Sequence, residues 1–120
     1  MFCVFCAIAA GEAPAAIVAD WGQVLAIVPL GPVTAGHVLV LPRVHVPDVA
    51  ADPAVSAAVM ARAAVLAAEY PAVNVITSRG AAATQTVSHL HLHVVPRRDD
   101  DGLALPWSAP AAPSGRPGIP

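Results

Sequence analysis

SHLHLHVVPR, residues Ser88–Arg97, places His89, His91 and His93 at every second position, with Leu90, Leu92 and Val94 alternating against them. Alternation of this kind predicts an extended strand, because successive side chains of a strand point to opposite faces. The aliphatic residues then share one face, which predicts packing on a helix, and the imidazoles share the other, which must look into a polar space or a site. Three of the chain's five histidines fall within these five residues, a concentration that a purely structural role does not require.

Working outward, AVNVITS (72–78) and LHLHVVP (90–96) read as two strands joined by the small and polar loop RGAAATQTV (79–87). Upstream, AAIVAD and VLAIV flank a Trp21-Gly22-Gln23 turn and predict a hairpin, and Gly36–Leu41 predicts a further strand ahead of Pro42. A helix follows: Asp52 is an N-cap candidate, Pro53 suits the first helical position, and Val55, Val59, Ala63 and Leu66 recur on one face before Pro71. About five strands, one main helix and a short N-terminal helical turn predict an α+β domain with a largely antiparallel sheet.

The chain has 120 residues and is 57% hydrophobic, enough for one globular core but not two. Residues 1–105 are expected to form that domain. Residues 106–120 hold five prolines and little that can pack, which predicts a disordered tail. All six basic residues are arginines, scattered without a stripe, and this argues against nucleic acid as a partner. No apolar run is uninterrupted for long enough to span a bilayer. The first arginine is Arg43, so the apolar N-terminus lacks the positive charge of a secretion signal. The expectation is a cytoplasmic protein without membrane association, in which Cys3 and Cys6 stay reduced and suggest metal or redox chemistry more than a structural disulfide.

The strand's rise puts His89 and His93 about 13 Å apart, whereas zinc holds its ligands at about 2.0–2.3 Å. One metal therefore cannot take all three imidazoles, and their labour must be divided. A neutral imidazole, with an unperturbed pKa of about 6.5, offers a lone pair near neutrality. Attack on phosphorus would give an N-phosphoryl imidazole that water then cleaves, replacing one difficult displacement by two easier ones. His91, flanked on both sides, is the candidate nucleophile, with a neighbour donating to the phosphate.

CVFCAI (3–8), GHVLVLPRVH (36–45), GAAATQTVSHLHLHVVPR (80–97) and DDGLALPW (100–107) together resemble the histidine triad (HIT) family, in its small bacterial members. The resemblance implies the HIT-like fold and a nucleotide hydrolase or transferase that cleaves nucleoside monophosphate–X at the α-phosphate, where X is an amine, a nucleotide or another group. It implies His91 as nucleophile, His93 on the phosphate, and Gln85 and Thr86 as donors to the phosphate and leaving group. Ser78 stands where many relatives carry asparagine. Val4, Phe5, Ile8, Ile27 and Leu30 match the apolar nucleoside pocket. The position of a ribose-binding aspartate is Pro29, which has no carboxylate to offer.

The same resemblance implies a structural zinc site from Cys3, Cys6, His45 and His89, which leaves His91 to the substrate. His37 is expected to be structural. Relatives are homodimers, and Trp107 either reaches toward a partner's site or caps the core. The alternative reading is a catalytically weak nucleotide-binding or zinc-binding interaction protein of the same fold, which the changes at Pro29 and Ser78 favour.

Overall fold

Asp52 opens the main helix as expected: its carboxylate accepts the N–H of Ala54 at 3.1 Å and of Val55 at 3.3 Å, a cap that contributes about 1 kcal/mol. The computed structural model describes residues 2–107. The expected tail, 106–120, falls outside the described residues from 108 onward. The elements are α1 (Val4–Ala9), β1 (Ala16–Asp20), β2 (Val24–Val28), β3 (Val38–Pro42), α2 (Pro53–Ala67), β4 (Val73–Ile76), a 3-10 turn (Ala81–Ala83) and β5 (Leu92–Pro96). The five strands form one sheet in the order β1-β2-β3-β5-β4, every pair antiparallel. The α+β architecture read from the sequence is the one observed.

The period of two separates two cores. Val24, Ala26, Val40, Leu92 and Val94 point to the α2 side, where they join Leu90 and the helix residues Val59 and Ala63. Leu25, Ile27, Leu39 and Leu41 point the other way and pack with Phe5 and Ile8 of α1. Leu25 and Leu41 are wholly buried, each contributing about 2–3 kcal/mol by leaving water. The aliphatic side of the triad segment therefore packs on the helix, as its alternation predicted.

The histidine segment differs from the expected strand. β5 begins only at Leu92, so His93 alone of the three lies in the ladder, opposite Leu39 on one side and Ile76 on the other. Ahead of Leu92 other partners claim the backbone. The Leu90 N–H donates to the Val46 carbonyl at 2.8 Å, Thr77 Oγ1 donates to the His91 carbonyl at 2.8 Å, and the His91 ring donates to the His89 carbonyl. These three main-chain groups thus stay paired without a neighbouring strand. The strand starting at Gly36 is likewise displaced, running from Val38 through Pro42. No helix among the described residues is long and apolar enough to cross a membrane.

Candidate active site and metal cluster

The segment 89–93 directs its imidazoles to two separate places. His91 and His93 line a cleft of about 980 Å³ together with Val4, Phe5, Ile8, Ile27 and Leu30, and with Ser78, Gln85 and Thr86. All ten residues expected for catalysis and for the nucleoside are brought to this one cleft. His89 does not line it; it is fully buried beyond the Phe5 ring, so that of the three imidazoles only His91 and His93 reach the cleft. The Phe5 ring separates the two places, in edge contact with His91 at 5.1 Å and with His89 at 5.8 Å between centroids.

Hydrogen bonds fix which nitrogen of each ring carries a proton. His91 Nδ1 lies 2.8 Å from the His89 carbonyl. A carbonyl only accepts, so Nδ1–H donates and Nε2 keeps the lone pair. His37 Nδ1 accepts the Val33 N–H at 3.1 Å, which leaves the proton on Nε2. That proton is donated to His93 Nδ1 at 3.0 Å, so a neutral His93 carries its own proton on Nε2. The cleft therefore holds one lone-pair imidazole beside one donor imidazole, with ring centroids 5.2 Å apart. Burial first, then the neighbouring His91 and His37, push the His93 pKa down to about 4, and burial lowers that of His37. Both are neutral near pH 7.

His37 is the residue the sequence reading misplaced. It was expected to be structural, yet it lines the cleft and sets the tautomer of His93. Gln85 lies at the cleft but its amide is committed: Nε2 donates to the Pro47 carbonyl at 2.7 Å and the Val87 carbonyl at 3.1 Å, while Oε1 accepts the Gly80 N–H at 2.9 Å. In this arrangement it braces the loop 80–87. Donation to a phosphate would require exchanging one of those carbonyls.

At the other end the Arg97 guanidinium grips Asp101 through Nε at 2.7 Å and Nη2 at 3.1 Å, and donates to Asn74 Oδ1 at 2.7 Å. Asp101 also accepts the N–H groups of Leu103 and Arg98. Arg97, followed by those N–H groups, holds its carboxyl well below the usual carboxylate range. This buckle sets Leu103, Ala104 and Leu105 along the cleft wall. Trp107 is 54% exposed, so it does not cap the core.

Cys3, Cys6, His45 and His89 form the second cluster, their ligand atoms all within 4.8 Å of one another. His89 Nε2–H donates to the Pro42 carbonyl at 2.8 Å, which frees Nδ1 for the cluster. That Nδ1 lies 3.2 Å from His45 Nδ1, 3.4 Å from Cys3 Sγ and 3.5 Å from Cys6 Sγ; His45 Nδ1 to Cys6 Sγ is 3.3 Å. A zinc tetrahedron with ordinary bond lengths has edges of about 3.3 Å between nitrogens and about 3.6 Å between nitrogen and sulfur, so the donor set fits the ion. Burial, followed by the hydrogen bond to Cys3 and that sulfur's charge, pushes the Cys6 thiol up. Burial likewise lowers the His89 pKa, against the Pro42 hydrogen bond that raises it. Cys3 caps α1 by accepting the Cys6 N–H. Arg43 ties the other end of α1 down by donating to the Ala9 and Gly22 carbonyls and pairing with Asp20 at 2.9 Å.

Comparison with known proteins bears on both clusters. The HIT domain model matches residues 10–100. An uncharacterised HIT-like protein of Mycobacterium tuberculosis is 45% identical over 112 residues, which cover 88% of this chain and 78% of the relative. The adenosine 5′-monophosphoramidase of Saccharomyces cerevisiae is 30% identical over 111 residues, covering 89% of this chain and 70% of that protein. The crystal structure of a zinc-bound histidine triad family protein from Mycobacterium smegmatis matches with a TM-score of 0.75 at 41% identity, over 85% of this chain and 79% of that one.

Proposed function

The chain belongs to the HIT domain family, and from that premise we propose that it is a nucleotide hydrolase or transferase acting on nucleoside monophosphate–X substrates, phosphoramidates or dinucleoside polyphosphates, at the α-phosphate. The observation that carries this reading is the 2.8 Å bond from His91 Nδ1 to the His89 carbonyl, which leaves Nε2 as the lone-pair nitrogen of a cleft residue. His91 Nε2 attacks phosphorus and the P–X bond breaks, with X leaving on its electron pair and taking a proton. Water then attacks the nucleotidyl-His91, and the P–N bond returns its electrons to Nε2. His93 Nε2–H donates to a phosphate oxygen as charge builds there, and Ser78, Thr86 and Gln85 serve the phosphate and leaving group. The apolar wall of Val4, Phe5, Ile8, Ile27 and Leu30 receives the nucleoside. The name of the yeast relative supports phosphoramidates as one substrate class.

Cys3, Cys6, His45 and His89 are assigned a structural zinc on the fit of their donor atoms, supported by the zinc-bound mycobacterial relative. With four protein ligands the ion has no open position for chemistry; it would clamp α1 to the triad segment. The reduced thiols suit the cytoplasm. A homodimer is part of the same proposal, and sedimentation equilibrium tests it.

The deciding experiment is a single turnover with an adenosine phosphoramidate and, separately, a dinucleoside polyphosphate. Release of AMP, with a nucleotidyl adduct on the His91 peptide by mass spectrometry, is expected, and His91→Ala should abolish both. Undiminished release by His91→Ala would remove the nucleophile. Binding without release in the wild type would favour the catalytically weak binding protein, a reading to which the committed amide of Gln85 lends weight.

A further inference from the structure

Asn74 is a polar side chain of the cleft that is held in a fixed orientation with half of its amide unused. The register of β4 sets Ile76 opposite His93 and Asn74 opposite Val95, and all four residues line the cleft. Asn74 is therefore the diagonal cross-strand neighbour of His93, a relation that spans about 7–8 Å. Its Oδ1 accepts from Arg97 Nη1 at 2.7 Å. A guanidinium only donates, so this bond assigns the amide and turns Nδ2–H₂ away from Arg97. Among the described residues Nδ2 has no partner, and no buried side-chain nitrogen is left unpaired, so Nδ2 is open to solvent. Among the described residues lining the cleft, Arg97 supplies the one guanidinium and none supplies a carboxylate. Asp101 stands outside that lining, with both oxygens engaged by Arg97 and by the N–H groups of Arg98 and Leu103.

We propose that Asn74 Nδ2–H₂ is the donor of a subsite for the leaving group X, fitted to an X that carries an oxyanion a short reach beyond the scissile bond. Two sources share that chemistry: the carboxylate of an N-linked amino acid and the next phosphate of a polyphosphate. The inference rests on the nucleotide reading above, which puts phosphorus at His91 and His93. In the sheet order β4 follows β5, on the side of His93 away from β2 and from the wall assigned to the nucleoside. A substituent of phosphorus that extends from His93 toward β4 comes within reach of the amide. Arg97 keeps the donor half of that amide turned outward, and its own hold on Asp101 and on the Leu103 carbonyl keeps Arg97 in place. A hydrogen bond to a charged acceptor is among the strong ones, whereas ammonia as X has no acceptor to offer.

The test has two arms, each read as a ratio within one protein so that general damage cancels. The carboxylate arm is kcat/KM for the adenosine phosphoramidate of glycine over that of ethylamine, which carries a methyl in place of the carboxylate. The phosphate arm is the affinity of ADP over that of AMP for His91→Ala, by calorimetry. Asn74→Asp keeps an oxygen to accept from Arg97 but replaces the donor with a charge, and it should lower at least one ratio by more than about tenfold. A shift in one arm alone identifies the oxyanion that the subsite takes. Unchanged ratios in both arms would show that Asn74 only anchors Arg97, and would overturn the proposal. Should Asn74→Asp not fold, calorimetry on His91→Ala decides: the glycine adduct should bind more than about tenfold tighter than the ethylamine adduct, or ADP than AMP, and neither doing so overturns the proposal. Failure of the wild type to release AMP from either adduct, with no binding of AMP, would instead overturn the nucleotide reading itself.

Discussion

His37 Nε2 lies 3.0 Å from His93 Nδ1, and the Val33 N–H on the opposite nitrogen of His37 makes His37 the donor. One main-chain amide thereby decides that His93 presents an N–H to the cleft. His37→Leu removes the donor and lets His93 take either tautomer, so single-turnover release should slow by about tenfold, the worth of one such hydrogen bond. His37→Gln keeps an amide N–H near the Nε2 position and should recover most of that rate. Equal rates for the two variants would show that the relay is only packing.

The cluster of two cysteines and two imidazoles predicts one zinc per chain by plasma emission spectroscopy, absent in Cys6→Ala. A ligand that binds only the folded chain raises its stability. Prolonged chelation should accordingly lower Tm by more than about 5 °C, since about 1 kcal/mol shifts a domain of this size by several degrees. An unchanged Tm after complete metal removal would contradict a clamp on α1.

Acid should unfold the domain partly through His93. Its pKa is about 4 in the folded chain against about 6.5 unfolded, so between these values the unfolded chain binds more protons. Stability from this group is full above about pH 6.5 and is lost as pH falls toward 4; His37 acts in the same direction. With chelator present throughout, the urea midpoint should fall between pH 7.5 and 4.5, and fall less in His93→Gln. Parallel curves for the two proteins would refute the linkage.

Gly36 precedes His37 with φ +87°, and a Cβ there would sit 2.8 Å from Tyr70 Oη and 3.1 Å from Pro96 Cγ. Gly36→Ala combines left-handed backbone with a clash and should destabilise by about 1–3 kcal/mol in urea titration. Tyr70→Phe in the same chain removes the oxygen but not the φ penalty, so rescue should be partial.

Elements whose cause is local were legible in the sequence. The Asp52-Pro53 start of α2, its apolar face and the two-residue period of the strands all depend on neighbours within a few positions. Leu90, Leu92 and Val94 point to the helix because alternation outlasts the ladder itself. What escaped were features made by partners far apart in the chain. The Val46 carbonyl takes the Leu90 N–H and shortens β5, and nothing around residue 90 announces it. His37 meets His93 across 56 positions, so a lone histidine beside a glycine looked inert. Gln85 sits at the cleft as its motif implied, yet the fold of its own loop decides what its amide holds.

The sulfur of Cys3 and the imidazole of His89 meet across 86 positions. During synthesis the cysteine emerges first and waits until nearly the whole sheet has left the ribosome before its last neighbour arrives. Closing so long a loop is entropically unfavourable, so the contact forms after the strands between them have already drawn the ends together. On that ground the junction is expected to close late, as a latch two residues from His91 at the cleft.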